Sequence, residues 1–190
     1  MTDFPSWEPP FNGDEAGAVF GALERLRVTF RWKCADLDGD GLRATAASSD
    51  LTLGGLLKHL ALIEDVYFQV KILGGPMPRA WDEAEDADGW EFASAADDSP
   101  AQLYELWDSA AARSRAAVDE ITARGGLDAP AAQTLPDGSH PNIRRLVMDL
   151  VEEYGRHTGH ADLLREAVDG RVGEDPPWPA SDGATDEVSG

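Results

Sequence analysis

The chain has 190 residues, a length that suits one domain with a sizeable core, and its hydrophobic content of 42% is ordinary for a soluble globular protein. With 36 acidic residues against 16 basic ones, the formal net charge is −20, which argues against a nucleic-acid partner, since phosphate binding needs a basic patch. No apolar run reaches the ~20 residues that span a bilayer, the N-terminus lacks the basic start and apolar middle of a signal peptide, and the single cysteine, Cys34, excludes an intrachain disulfide. A cytoplasmic protein with neither membrane nor nucleic-acid partner is the expectation.

Residues 1–13, rich in proline, read as an extended arm that Phe4, Trp7 and Phe11 can pin to the body. A first helix is predicted over Glu15–Ala35, with Asp14 as its N-cap and a stripe of Ala18, Ala22 (or Val19), Leu26, Phe30 and Cys34. Arg25, Arg27, Arg31 and Lys33 gather in its second half, where cations complement the helix dipole. The stretch Asp36-Leu-Asp-Gly-Asp-Gly41 imitates the start of a calcium loop, but the twelfth position is Ala47, where a bidentate glutamate is required. It reads instead as a helix end and a turn.

The second helix starts near Thr52 and runs to about Leu73, with a stripe of Leu53, Leu56, Leu60, Ile63, Tyr67 and Val70, and Gly74-Gly75-Pro76 stops it. Residues 76–99 form a long link, and links of this length inside a compact domain are often functional. Its Trp81, Trp90 and Phe92 either cover one end of the core or simply anchor the link. Ser99-Pro100 opens a third helix that runs to about Arg124. A fourth begins near Pro141, runs to Val168 and ends at Gly170. The expected architecture is all-α: a four-helix bundle over residues 1–170 with long loops, then a mobile tail over 171–190.

The fourth helix carries the most informative pattern. Glu153, His157 and His160 fall at i, i+4 and i+7, the spacing of one helical face. Leu146 and Leu150 precede them on that face, and Leu164 and Val168 follow. Polar groups in a core-facing stripe are costly unless they satisfy each other or share a cation. On the second helix, His59 sits between Leu56 and Ile63, on or beside the buried face. If these two helices are neighbours, His59, Glu153 and His157 can converge. Two imidazoles and a carboxylate suit zinc with an open position for water or a thiol, or nickel or iron. The competing reading is a satisfied core histidine and an ordinary i,i+4 contact, with His160 either a partner of a ligand or a replacement for one. His140 reads as a surface residue, and Arg156, Asp162 and Arg165 are assigned to the solvated face. No phosphate loop or dinucleotide fingerprint is present, and Cys34, with no base beside it in sequence, reads as a core thiol.

Leu56-Leu-Lys-His-Leu60, Trp90-Glu-Phe-Ala-Ser-Ala-Ala-Asp-Asp98 and the run from Glu153 to Glu166 resemble the DinB-like superfamily, most closely its actinobacterial branch, over about residues 14 to 170. The resemblance implies a four-helix bundle with a divalent metal at one end of the core. A histidine of the second helix and a pair spaced by four on the last helix would hold it. Many members carry His-x-x-x-His there. This chain has Glu153 and His157, similar to the histidine–glutamate–histidine set of the mycothiol-dependent maleylpyruvate isomerases. The implied ligands are His59, Glu153 and His157, with His160, where other members often carry glutamine, as a possible addition. The resemblance also implies mycothiol or bacillithiol as co-substrate, an electrophilic second substrate, and S-transferase or isomerase chemistry, in a monomer or homodimer. The alternative is a non-catalytic protein of the same fold that binds a metal or small ligand.

Overall fold

The computed structural model describes residues 4–84 and 87–178. Among these residues the chain is helical and without strands, and four long helices form the bundle that the apolar stripes predict. Helix α1 spans Glu15–Cys34, α2 Gly39–Arg43, α3 Leu53–Asp65, α4 Trp90–Ser94, α5 Pro100–Ala123 and α6 Ile143–Asp169. Helix α1 packs against α6, and α3 packs against α5, α6 and the short α4. No helix among the described residues is long and apolar enough to cross a membrane.

The ends of the helices follow from local chemistry. Asp14 accepts the Gly17 N–H at 2.8 Å, Thr52 the Gly55 N–H at 3.0 Å, and Asn142 the Arg145 N–H at 2.9 Å. Ser99 and Gln102 close a reciprocal capping box behind Pro100. Gly170 ends α6 at φ 77°, a conformation in which a Cβ is strained. The second predicted helix does reach Ile72, but only its first part is α-helical: Val66–Ile72 is a π-helix, with the Leu73 N–H bonded to the Phe68 carbonyl at 3.1 Å. At its end the Lys71 and Ile72 carbonyls accept the N–H groups of Gln133 and Ala132, at 2.8 and 3.1 Å. The loop after α5 thus satisfies groups that a helix end leaves open.

The stripe of α1 differs from the predicted one. Leu23, Arg27, Phe30 and Cys34 are buried, whereas of the expected stripe Leu26 and Val19, the alternative to Ala22, are half-buried against the core and Ala18 is exposed. Arg27 takes a core position because α3 supplies its partner. Its Nε and Nη2 donate to the Glu64 carboxylate at 2.6 and 2.7 Å, and the Tyr154 hydroxyl donates to the same carboxylate at 2.8 Å. Glu64 is completely buried. Burial pushes its carboxyl pKa up, but the charge and hydrogen bonds of Arg27 outweigh this and hold it below its ordinary value. The next residue, Asp65, is equally buried. It accepts from Arg113 at 2.9 and 2.7 Å and from the Trp81 indole at 2.8 Å. Trp81 therefore anchors the link to the core.

Two further cations assigned to solvent or to the dipole are buried. Lys33 pairs with Asp162 at 2.8 Å. Arg165, expected on the solvated face, is only 1% exposed. Its guanidinium donates to the carbonyls of Lys33 and Ala35 and to Asp169, so that α6 caps the open C-terminal carbonyls of α1. Arg156 is exposed, as expected.

The N-terminal arm lies along α1, where a Cβ on Gly21 would sit 2.7 Å from Pro9. The described start of the tail also docks on α1. Asp175 accepts from Arg25 at 3.2 Å and from Thr29 at 3.0 Å, and Trp178 meets Phe4 edge to face. The rest of the tail expected to be mobile, 179–190, lies outside the described residues.

Replacing Arg27 by Met leaves Glu64 charged, buried and unpaired, and should cost about 3–5 kcal/mol of stability, read by urea denaturation. The double change Arg27→Met with Glu64→Gln removes the stranded charge and should recover at least half of that loss. Equal losses for the single and double variants would contradict the assignment.

Candidate metal centre

The contact of α3 with α6 meets the condition on which the convergence of His59, Glu153 and His157 depends. Their ligand atoms lie within 4.8 Å of one another. Both imidazoles present Nε2 to one carboxylate oxygen: Glu153 Oε2 is 3.3 Å from His157 Nε2 and 3.7 Å from His59 Nε2. Ligand distances of about 2.0–2.1 Å in a tetrahedral site imply ligand–ligand separations of roughly 3.3 Å. The two separations to Glu153 are close to that size, and no pair of the three exceeds 4.8 Å.

His59 is prepared for the role by a residue that periodicity does not single out. Glu91, on α4, takes His59 Nδ1 at 3.0 Å. With the carboxylate ionised, Nδ1 carries the proton and Nε2 is left with its lone pair. That Nε2 is buried and has no hydrogen-bond partner. A buried imidazole nitrogen with no partner, facing a carboxylate and a second imidazole, is an unsatisfied polar group that a cation would satisfy. Phe92, the next residue, stacks on the His59 ring with centroids 4.7 Å apart, so one turn of α4 both orients and covers the imidazole. The Trp90-Glu-Phe run was visible in sequence, but nothing in it revealed that α4 folds onto α3. Trp90 itself lies against the Lys58 ammonium, 4.6 Å from ring centroid to Nζ.

His157 is 8% exposed. Its Nδ1 lies 3.3 Å from Nδ1 of His160, so His160 meets His157 on the side away from Glu153. His160 does not join the three convergent ligand atoms. It contacts one member of the set, His157. Within ion-pairing distance among the described residues, Glu91 and Glu153 meet only these histidines. Two carboxylates around two imidazoles, with no lysine or arginine to balance them, make a site whose charge favours a cation. His140 lies apart, its Nδ1 against the Gln133 carbonyl at 2.9 Å. Asp38 caps α2 by accepting the Gly41 N–H at 2.9 Å, the turn that the acid- and glycine-rich stretch suggested. Cys34 is buried, and burial pushes its thiol pKa well above the ordinary range, so it is an inert core group.

Burial lowers the His157 pKa from 6.5 to about 4, with His59 and His160 pushing the same way and Glu153 opposing them. The neutral imidazole, the form that can coordinate, is thereby favoured in the folded chain. Between pH 6.5 and about 4 the unfolded chain binds the proton that the folded chain refuses. Stability of the metal-free protein must therefore fall as pH falls through that window. Thermal melts of metal-free wild type should show this slope, and the His157→Gln variant should show a shallower one. Equal slopes would remove His157 as the cause.

A search of curated proteins finds no match. The family model described as mycothiol-S-transferase matches residues 18–170, a span that includes α1 through α6 apart from the first turn of α1, and all three convergent ligands. By that match the chain belongs to the mycothiol-S-transferase family.

Proposed function

We propose that the protein is a metal-dependent thiol S-transferase that uses mycothiol, with His59, Glu153 and His157 as ligands of a divalent ion, zinc being favoured by the donor set. The observation that carries this reading is the buried, unpartnered Nε2 of His59, facing Glu153 and His157. Three protein ligands leave a position open, the arrangement of catalytic and not of structural zinc sites. When bound, the ion supplies Lewis acidity that lowers the pKa of a thiol and keeps it nucleophilic at neutral pH.

The residues of the chain have separate tasks in this reading. Glu91 fixes the His59 tautomer and ring orientation, which raises the basicity of Nε2. Glu153 supplies the negative charge that offsets the cation. Phe92 covers one face of His59 and excludes water from it. Tyr154, bonded to Glu64, holds the turn of α6 that carries Glu153 and His157. The reaction itself joins the mycothiol sulfur to the electrophilic carbon of a second substrate. Family membership supports the thiol, and the donor chemistry supports the ion.

Purified wild type should carry about one divalent ion per chain, and His59→Ala and His157→Ala should each abolish uptake, as measured by elemental analysis. Loss of mycothiol thiol in the presence of 1-chloro-2,4-dinitrobenzene should fall in parallel. Failure to consume mycothiol, glutathione or bacillithiol in a metal-dependent manner would sink the enzyme reading. Glu91→Gln keeps size and packing but removes the carboxylate, and should weaken metal affinity roughly 10–100-fold in competition titrations with a chromophoric chelator. An unchanged affinity would show that Glu91 does not orient His59.

A further inference from the structure

The outward strip of α6 carries two exposed large apolar side chains, Met148 at 45% and Leu163 at 66%. Between them lie Gly155 and Gly159, both exposed, where an added Cβ would meet nothing within 4 Å. At about 100° per residue these four positions share one stripe of about 80°. Glycine inside a helix weakens it relative to alanine, and no contact within the chain calls for either one. The charged residues of the strip, Arg145, Glu152, Arg156 and Glu166, sum to zero on a chain of net charge −20. Two copies can therefore meet here without the repulsion that the acidic surface imposes elsewhere. Towards its C-terminal end the strip borders an apolar recess of about 470 Å³, which Leu163 and Ala167 line together with the loop that joins α2 to α3.

We propose that this strip is a homodimer interface, in which α6 packs antiparallel on α6 of a second copy across a two-fold axis between Gly155 and Arg156. In that register Arg145 stands opposite the second copy's Glu166, Met148 opposite its Leu163 and Glu152 opposite its Gly159, and the two-fold axis repeats each contact. Arg156 faces the second copy's Gly155, one turn from its Glu152. Within one chain Arg145 meets Asp149 and Arg156 meets Glu152. Exposed pairs of that kind are weak, so the second copy's carboxylates compete for the same guanidinium groups. The glycines let the two backbones approach closely. Helical side chains lean toward the N-terminus of their own helix, which carries Met148 past the second copy's Leu163 toward its Ala167 and the recess. A parallel pairing sets Arg145 on Arg145 and Glu166 on Glu166, and like charges oppose it. The strip is about 30 Å long and one helix wide, smaller than a stable interface, so the dissociation constant is expected on the order of 10 μM. Neither a metal nor transferase chemistry is needed for this pairing.

Sedimentation velocity of the full chain, from about 1 to about 300 μM, should show a monomer–dimer equilibrium. Gly159→Leu has room in the single chain but obstructs the close approach, and should weaken the dimer at least roughly tenfold. Its melting temperature at about 1 μM, where the monomer dominates, should be unchanged or raised. Arg145→Glu places carboxylates against each other at both ends of the interface and should weaken the dimer roughly tenfold. Adding Glu166→Arg should bring the dissociation constant back to within about threefold of wild type. In one chain Arg145 and Glu166 stand about 30 Å apart along the helix, so a rescue between them is intermolecular. A chain that stays monomeric throughout the range, a dimer indifferent to both single changes, or a double variant as weak as Arg145→Glu alone would overturn the assignment.

Discussion

Two adjacent carboxylates at the end of α3, Glu64 and Asp65, have no access to water. A buried charge without partners costs several kcal/mol, a large share of a domain's net stability, so the bundle has to bring donors to them. Arg27 comes from α1, Tyr154 from α6, Arg113 from α5 and Trp81 from the link. Four parts of the chain are thereby fixed to one turn of one helix. His59 lies on the same helix less than two turns earlier, and Glu153 is the neighbour of Tyr154. Satisfying the carboxylates therefore sets the spacing at which the candidate ligands face each other. Well-packed apolar residues could match the stability of such a network, but an ion pair tolerates only one geometry.

The four long helices and their caps were legible because stripe and cap are local signals. Asp14, Thr52, Ser99 and Gly170 each act within a few residues of themselves. The convergence of Glu153 and His157 was legible for the same reason, and His59 joined them once α3 and α6 were taken as neighbours. Arg27, Lys33 and Arg165 were not legible as buried groups. On composition each belongs on a surface, and each is buried only because another helix brings a carboxylate or a row of carbonyls to it. Glu91 escaped for a related reason. Its importance depends on α4 folding back onto α3, and no periodicity in a five-residue helix announces that. The π-helical stretch after Asp65 is invisible too, since it owes its end to carbonyls claimed by a loop some sixty residues further on.

The site joins two kinds of surface that are usually separated. On one side are imidazoles and carboxylates without a balancing cation. On the other, beyond His160, is a wall of aliphatic side chains.

The docking of α4 has a thermodynamic corollary. At five residues it is too short to persist as a free helix, so its helical state depends on what it touches, and among those contacts is His59 through Glu91 and Phe92. By reciprocity, whatever factor the docked segment adds to the affinity of the centre for a cation, the cation returns to the docking equilibrium. Occupancy of the proposed centre and the order of the link would then be reciprocally coupled. Hydrogen exchange at the amides of α4 would register the state of a centre that those amides never touch.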